Sequence, residues 1–175
     1  MRLFIAIPLS DRIRTSLADY QEILRAAGVT GSWSATENLH ITLAFIGEYG
    51  DPDEVLDAVG TVSFEPFDLC VGGSGSFSDT LWAGVGKNPS LEKLVRNVRR
   101  ALADADIPFD RKKFRPHITL ARRSSLPADL SSVPSPELSF MTVDGFSLFR
   151  SDRGKHGMIY TELGCIPASS SAERK

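Results

Sequence analysis

His40-Ile41-Thr42-Leu43-Ala44 recurs, residue for residue, as His117-Ile118-Thr119-Leu120-Ala121, 77 positions further along the chain. Five identical residues are improbable as a coincidence in a chain of 175. A strand, a helix and then a histidine strand can be read in each half, so the repeat suggests two related lobes. On a strand, residues two apart point the same way. His40 and Thr42 therefore share one face, and Ile41 and Leu43 the other. The second copy divides identically. The apolar faces can pack on helices, leaving an imidazole and a hydroxyl on each open face. A pseudo-twofold relation would bring the two pairs together across a cleft.

The surrounding sequence supplies the rest of an α+β pattern. Arg2 to Pro8 reads as a buried strand closed by proline. Ser10 is a predicted N-cap for a helix from Asp11 to Ala27, which Gly28 stops. Asn38 to Ile46 is a strand. Asp51-Pro52 and Asn88-Pro89 each place a cap before a proline, opening helices to about Val62 and Asp104. Pro66 to Val71 and Thr80 to Val85 read as strands joined by a Gly/Ser loop. Pro116 to Ala121 is another strand, and Leu126 to Pro136 a Pro/Ser-rich connection. Glu137 to Arg150 and Met158 to Cys165 are strands around a turn at Asp152-Arg153-Gly154. Several strands follow one another without a helix, which argues against a doubly wound sheet. The expected unit is one bilobal domain over residues 1–167, with antiparallel sheets lining the cleft and helices outside. A polar, flexible tail is expected over 168–175.

Composition excludes several classes. Hydrophobic residues are 42 % and charged residues 24 %, as in an ordinary soluble protein rather than a disordered chain or coiled coil. No apolar run approaches the roughly 18 residues of a membrane span. The N-terminus enters a strand with no cleavage site, and two unpaired cysteines, Cys70 and Cys165, read as reduced thiols, so a cytoplasmic location is expected. Net charge is −2, which gives no overall attraction to nucleic acid. Between Arg96 and Arg123, however, nine basic residues face three acids. This is either a solvated face or a basic wall beside a site for a phosphorylated ligand.

Two matched imidazoles suit acid–base work at a phosphodiester. One can serve as base for the nucleophile and the other as acid for the leaving oxygen, since histidine titrates near neutrality. Threonine hydroxyls can donate to non-bridging oxygens as charge accumulates there. The scheme needs no metal, and neither His-Glu-x-x-His nor a Cys/His cluster is present. His156 lies outside any His-x-Thr and reads as a turn residue. Gly72-Gly73-Ser74-Gly75 lacks a following Gly-Lys-Ser/Thr, so it is a turn or bulge rather than a P-loop. Trp33 and Trp82 read as core residues.

On these motifs the chain resembles the two-histidine phosphoesterase superfamily and, within it, the RNA 2',3'-cyclic phosphodiesterases, also called 2'-5' RNA ligases. The resemblance lies in residues 2–7, Asn38 to Gly47, Leu81 to Val85 and Phe114 to Arg122. It implies hydrolysis of a terminal 2',3'-cyclic phosphate to a 2'-phosphomonoester, with no cofactor. It also implies an RNA or oligonucleotide end as partner, no membrane, and reverse 2'-5' ligation as a side reaction; a monomer is expected. His40 would protonate the leaving O3', and His117 would act as general base on water. Thr42, Thr119 and Arg122 would hold the phosphate, and Phe45 would stack on the terminal base. Strict alternation disagrees on two of these. It places Arg123, not Arg122, on the His117 face, and Phe45 on the packed face with Ile41 and Leu43. A bulge or a strand end would re-aim both. Alternatives are a phosphodiesterase for a small cyclic nucleotide or ADP-ribose cyclic phosphate, and a nucleotide-binding module without turnover.

Overall fold

In a computed structural model that describes residues 1–127 and 133–169, the chain forms two antiparallel sheets with three α-helices. Strand β1 spans Arg2–Pro8, and its five central residues are all buried. Helix α1, Asp11–Ala26, follows directly, and Ser10 caps it by accepting from the Ile13 amide. Such a cap contributes about 1 kcal/mol. Strand β2, Thr30–Trp33, and a 3-10 turn at Thr36–Asn38 lead into β3, His40–Glu48. Helix α2, Pro52–Val59, begins at the Asp51-Pro52 signal and ends earlier than expected, before Gly60.

Strands β4, Phe67–Phe77, and β5, Thr80–Val85, precede α3, Pro89–Asp104, which Asn88 caps. Strands β6, His117–Ser125, β7, Ser139–Val143, β8, Gly145–Gly154, and β9, Gly157–Pro167, complete the order. One sheet runs β3-β1-β8-β9 and the other β2-β6-β5-β4-β7. The matched pair of the repeat is thus β1–β3 in one sheet and β5–β6 in the other. Both His strands are nine residues long, and both preceding helices sixteen.

Three expectations need correction. The Gly/Ser segment is not a loop, because β4 continues through it to Phe77 with a register shift between Val71 and Ser74. Gly75 is required there: a Cβ would come within 2.4 Å of the Trp82 indole, which lies across the strand. The stretch Glu137 to Arg150 is two strands in different sheets, since β7 pairs with β4 and β8 with β1. The final hairpin turns at Lys155-His156, beyond the expected Asp152-Arg153-Gly154. The short β2 was not foreseen, because Thr30–Trp33 carries no alternation to mark it.

Ile41, Leu43, Ile118 and Leu120 are all 0 % exposed and join one core cluster with β1, β8 and the apolar stripes of the helices. Of the expected tail, Ala168 and Ser169 are hydrogen-bonded to Asp144 and Phe64, and the remainder lies outside the described residues. So does the middle of the Leu126 to Pro136 connection. Among the described residues, no helix is long and apolar enough to cross a membrane.

Candidate active site

A regular strand could not aim Phe45 and Arg122 as the resemblance implies; these strands are not regular. Along β3 the pairing with β1 shifts between Ile5/Ala44 and Ala6/Thr42, leaving Leu43 as an extra residue. Along β6 the pairing with β5 shifts between Leu81/Ala121 and Trp82/Thr119, leaving Leu120 extra. Leu43 and Ala44 are consecutively buried, as are Leu120 and Ala121. A bulge of this kind reverses the phase of the residues that follow it, on β3 as far as a second shift at Ile46. Phe45 and Arg122 are thereby turned onto the open faces of His40 and His117.

Arg123 goes elsewhere. Its backbone is left-handed at φ 51°, and its guanidinium donates to Ser32 Oγ at 2.9 Å. Arg122, by contrast, lies near enough for its charge to act on His40. Strict alternation is therefore corrected at both positions.

The two imidazoles are mounted alike. His40 Nδ1 lies 2.6 Å from the Asn38 carbonyl, and His117 Nδ1 lies 2.6 Å from the Arg115 carbonyl. A carbonyl only accepts, so each Nδ1 carries a hydrogen and each Nε2 is left for chemistry. His40 Nε2 lies 2.8 Å from Thr42 Oγ1 and can accept the hydroxyl's proton. Thr119 sits on the His117 face, opposite Trp82. Strands β3 and β6 approach each other although they belong to different sheets, and the charge state of His117 is felt at His40. Burial, first, pushes the His40 pKa below its ordinary value. The Asn38 carbonyl opposes that shift, while Arg122 and His117 add to it.

Aromatic rings surround both histidines. Phe4 lies 5.0 Å from the His40 ring, 5.8 Å from Phe45 and 5.4 Å from Phe149, between ring centroids. Tyr160 meets His40 edge-on at 5.5 Å, so β9 curls round towards β3, and Asn38 Nδ2 donates to the Met158 carbonyl at the same end. On the other side, Phe77 meets His117 edge-on at 5.3 Å and packs on Trp82 at 5.1 Å. Trp82 is thus on the cleft side of its sheet, not in the core. Tyr160, in the last strand, reads from the sequence as a residue that could line the cleft; Phe4, Phe77 and Phe149 were missed. Period-two counting from Phe4, on the strand next to His40, is the one local signal that marks any of them. A cavity of about 240 Å³ opens beside His40, lined by Phe4, Pro8, Asn38, Phe149 and Tyr160 among others. A larger hollow of about 600 Å³, between the start of β4 and α3, includes neither histidine.

The basic segment is divided in use. Arg99 is turned inward against backbone carbonyls, Arg115 lies over the Phe77 ring at 5.4 Å, and Arg122 faces the cleft. Among the described residues, no three His, Cys, Asp or Glu side chains gather where they could hold a metal ion. His156 stands in the exposed β8–β9 turn.

The pattern of the 2'-5' RNA ligase superfamily matches residues 10–155. The chain is 30 % identical to the RNA 2',3'-cyclic phosphodiesterase of Geobacillus stearothermophilus, over 87 % of this chain and 52 % of that protein. The chain spans about half the length of that relative. It is also 30 % identical to the RNA 2',3'-cyclic phosphodiesterase of Archaeoglobus fulgidus, over 93 % of this chain and 98 % of that one. The crystal structure of Escherichia coli LigT complexed with 3'-AMP superposes with a TM-score of 0.80 at 28 % identity, covering 97 % of this chain and 98 % of that one.

Proposed function

The chain belongs to the 2'-5' RNA ligase superfamily, and on that footing we propose that it is an RNA 2',3'-cyclic phosphodiesterase whose two histidines hydrolyse the cyclic end to a 2'-phosphomonoester. The observation that carries the reading is the matched mounting of the imidazoles. Each Nδ1 is tied to the carbonyl two residues upstream, and each Nε2 belongs to a His-x-Thr on an open face. The relatives' names and the nucleotide in the LigT complex support the substrate class.

In this reading the phosphate sits between the rings, gripped by Arg122, whose planar fork suits two oxygens. Thr42 and Thr119 donate to the non-bridging oxygens. Water attacks phosphorus and loses its proton to His117 Nε2. The bond to O3' breaks, and O3' takes the proton from His40 Nε2. The ring roles come from the family resemblance. Burial, first, and the charges of Arg122 and His117 lower the His40 pKa, against the Asn38 carbonyl. An anionic phosphodiester beside the ring offsets those effects and favours its protonated form. Phe45, turned onto the same face, stacks on the terminal base, a contact that tolerates sequence. With a 5'-hydroxyl in place of water as the nucleophile, the same groups break the bond to O3' and leave a 2'-5' link, with no ATP.

The test is incubation with an oligonucleotide ending in a 2',3'-cyclic phosphate, followed by identification of the product. A 2'-phosphate supports the reading. An unchanged end, or a 3'-phosphate, rejects it.

A further inference from the structure

A bulge leaves backbone groups outside the ladder, and a carbonyl left unpaired in a protein interior costs about 1–3 kcal/mol. The carbonyls of Leu43 and Leu120 are each held by a helix side chain, and that of Leu120 also accepts from the Ser34 amide at 2.9 Å. Gln21 Nε2 donates to the Leu120 carbonyl at 3.0 Å and also to the Ser34 carbonyl at 3.0 Å. Arg99 Nε donates to the Leu43 carbonyl at 3.2 Å, while Nη1 donates to the Lys112 carbonyl at 2.8 Å. The two side-chain bridges correspond in position. Gln21 and Arg99 are each the eleventh residue of a sixteen-residue helix. Leu43 and Leu120 are each the fourth residue of a nine-residue His strand. Ser34 and Lys112 each follow their helix residue by 13 positions. Gln21 is 3 % exposed although it is polar, and Arg99 has its charge partly desolvated.

The connections are crossed. Ser34 leads into the strand of His40, yet its own amide and Gln21 together tie it to the bulge in the strand of His117, at the end of the β2–β6 pairing. Lys112 leads into the strand of His117, yet Arg99 ties it to the bulge in the strand of His40. Each bridge therefore does two things. It holds an extra residue in a strand that would otherwise slip by one and reverse its faces. It also registers one His strand against the approach to the other.

We propose that Gln21 and Arg99 are a matched pair of positioning residues that lock the two bulges, Gln21 setting the aim of Arg122 and Arg99 the aim of Phe45. Neither touches the reacting atoms. This rests on the proposed function in assigning phosphate to Arg122 and a base to Phe45.

The test is a pair of double-mutant cycles. Gln21→Leu keeps the volume and removes both donors; it is measured alone and in an Arg122→Ala background. Arg99→Lys keeps the charge but replaces the planar fork, with its separate Nε and Nη1 donors, by a single nitrogen, and it is measured alone and with Phe45→Ala. Misplacing a binding group by about an ångström can cost up to roughly a hundred-fold, so each clamp variant is expected to lower kcat/KM on a cyclic-phosphate dinucleotide by about ten-fold or more. When its target is already gone, the same change is expected to cost less than about two-fold, the mark of coupled residues. An undiminished penalty in the target-deleted background, or no penalty in the wild type, overturns the proposal. The Gln21–Arg122 cycle is also read as affinity for inorganic phosphate, which needs no turnover. A wild-type protein that leaves the dinucleotide intact overturns the functional reading, and the phosphate cycle then decides the clamp. If Gln21→Leu does not fold, the Arg99→Lys cycle carries the decision, because that change retains the charge.

Discussion

Phe45 and Arg122 occupy the same place in two matched strands, the sixth residue of β3 and of β6, each just past a bulge that turns it onto the histidine face. One copy of the repeat thus presents an aromatic ring where the other presents a guanidinium. The pseudo-symmetry of the backbone is kept while the chemistry of the two sides differs. That is the division a nucleotide end calls for, with a base on one side and a phosphate on the other.

Removing either imidazole separates the site from the scaffold. His40→Ala and His117→Ala are each expected to lower kcat by about 10²- to 10⁴-fold, the usual range for a lost general acid or base. His156→Ala, in an exposed turn, is expected to change it less than about two-fold. Turnover of an oligonucleotide with a 2',3'-cyclic end measures all three, and equal tolerance of the three would end the acid–base account.

Two adjacent arginines offer a sharper contrast. Losing a charge-assisted hydrogen bond costs about 1.5–3 kcal/mol, so Arg122→Ala is expected to weaken kcat/KM by roughly ten- to a hundred-fold. Arg123, bonded to Ser32 instead, should tolerate alanine within about two-fold. The same assay run on both variants decides, and a larger effect at Arg123 would contradict the bulge geometry.

Stability should depend on pH through His40. Its folded pKa lies below the ordinary value of about 6.5, chiefly because the ring is buried. Above about pH 6.5 the ring is neutral in both folded and unfolded chains, and the protein has its full stability. As pH falls below that value, the unfolded chain takes the proton first, so stability declines until the lowered folded pKa has been passed. Denaturant unfolding across pH 5 to 8 should show this slope, and His40→Gln should flatten it. A slope identical in the variant would assign the effect to another group.

Activity should survive EDTA. Two imidazoles, two hydroxyls and a guanidinium supply every proton and charge that the proposed hydrolysis needs. Loss of turnover on chelation, restored by a divalent ion, would replace this chemistry with a metal-assisted one.

Much of the site was legible because its signals are local. A five-residue repeat, period-two alternation and two cap-then-proline helix starts depend only on neighbours in sequence. From them came the histidine strands, the long helices and the hydroxyl companions. Phe149 was not legible, since it reaches the site across strands from the other end of the chain. Gln21 and Arg99 looked like ordinary helix residues, and nothing in their own stretches marks a carbonyl 99 or 56 positions away.

By itself, then, the order of residues determined that two imidazole–hydroxyl faces exist and that their other faces are core. Only the tertiary structure decided where Phe45, Arg122 and Arg123 point. The physical reason is that a bulge is a mismatch between two paired strands. It depends on the partner's register and on a donor from a distant helix, so no single strand's sequence contains it.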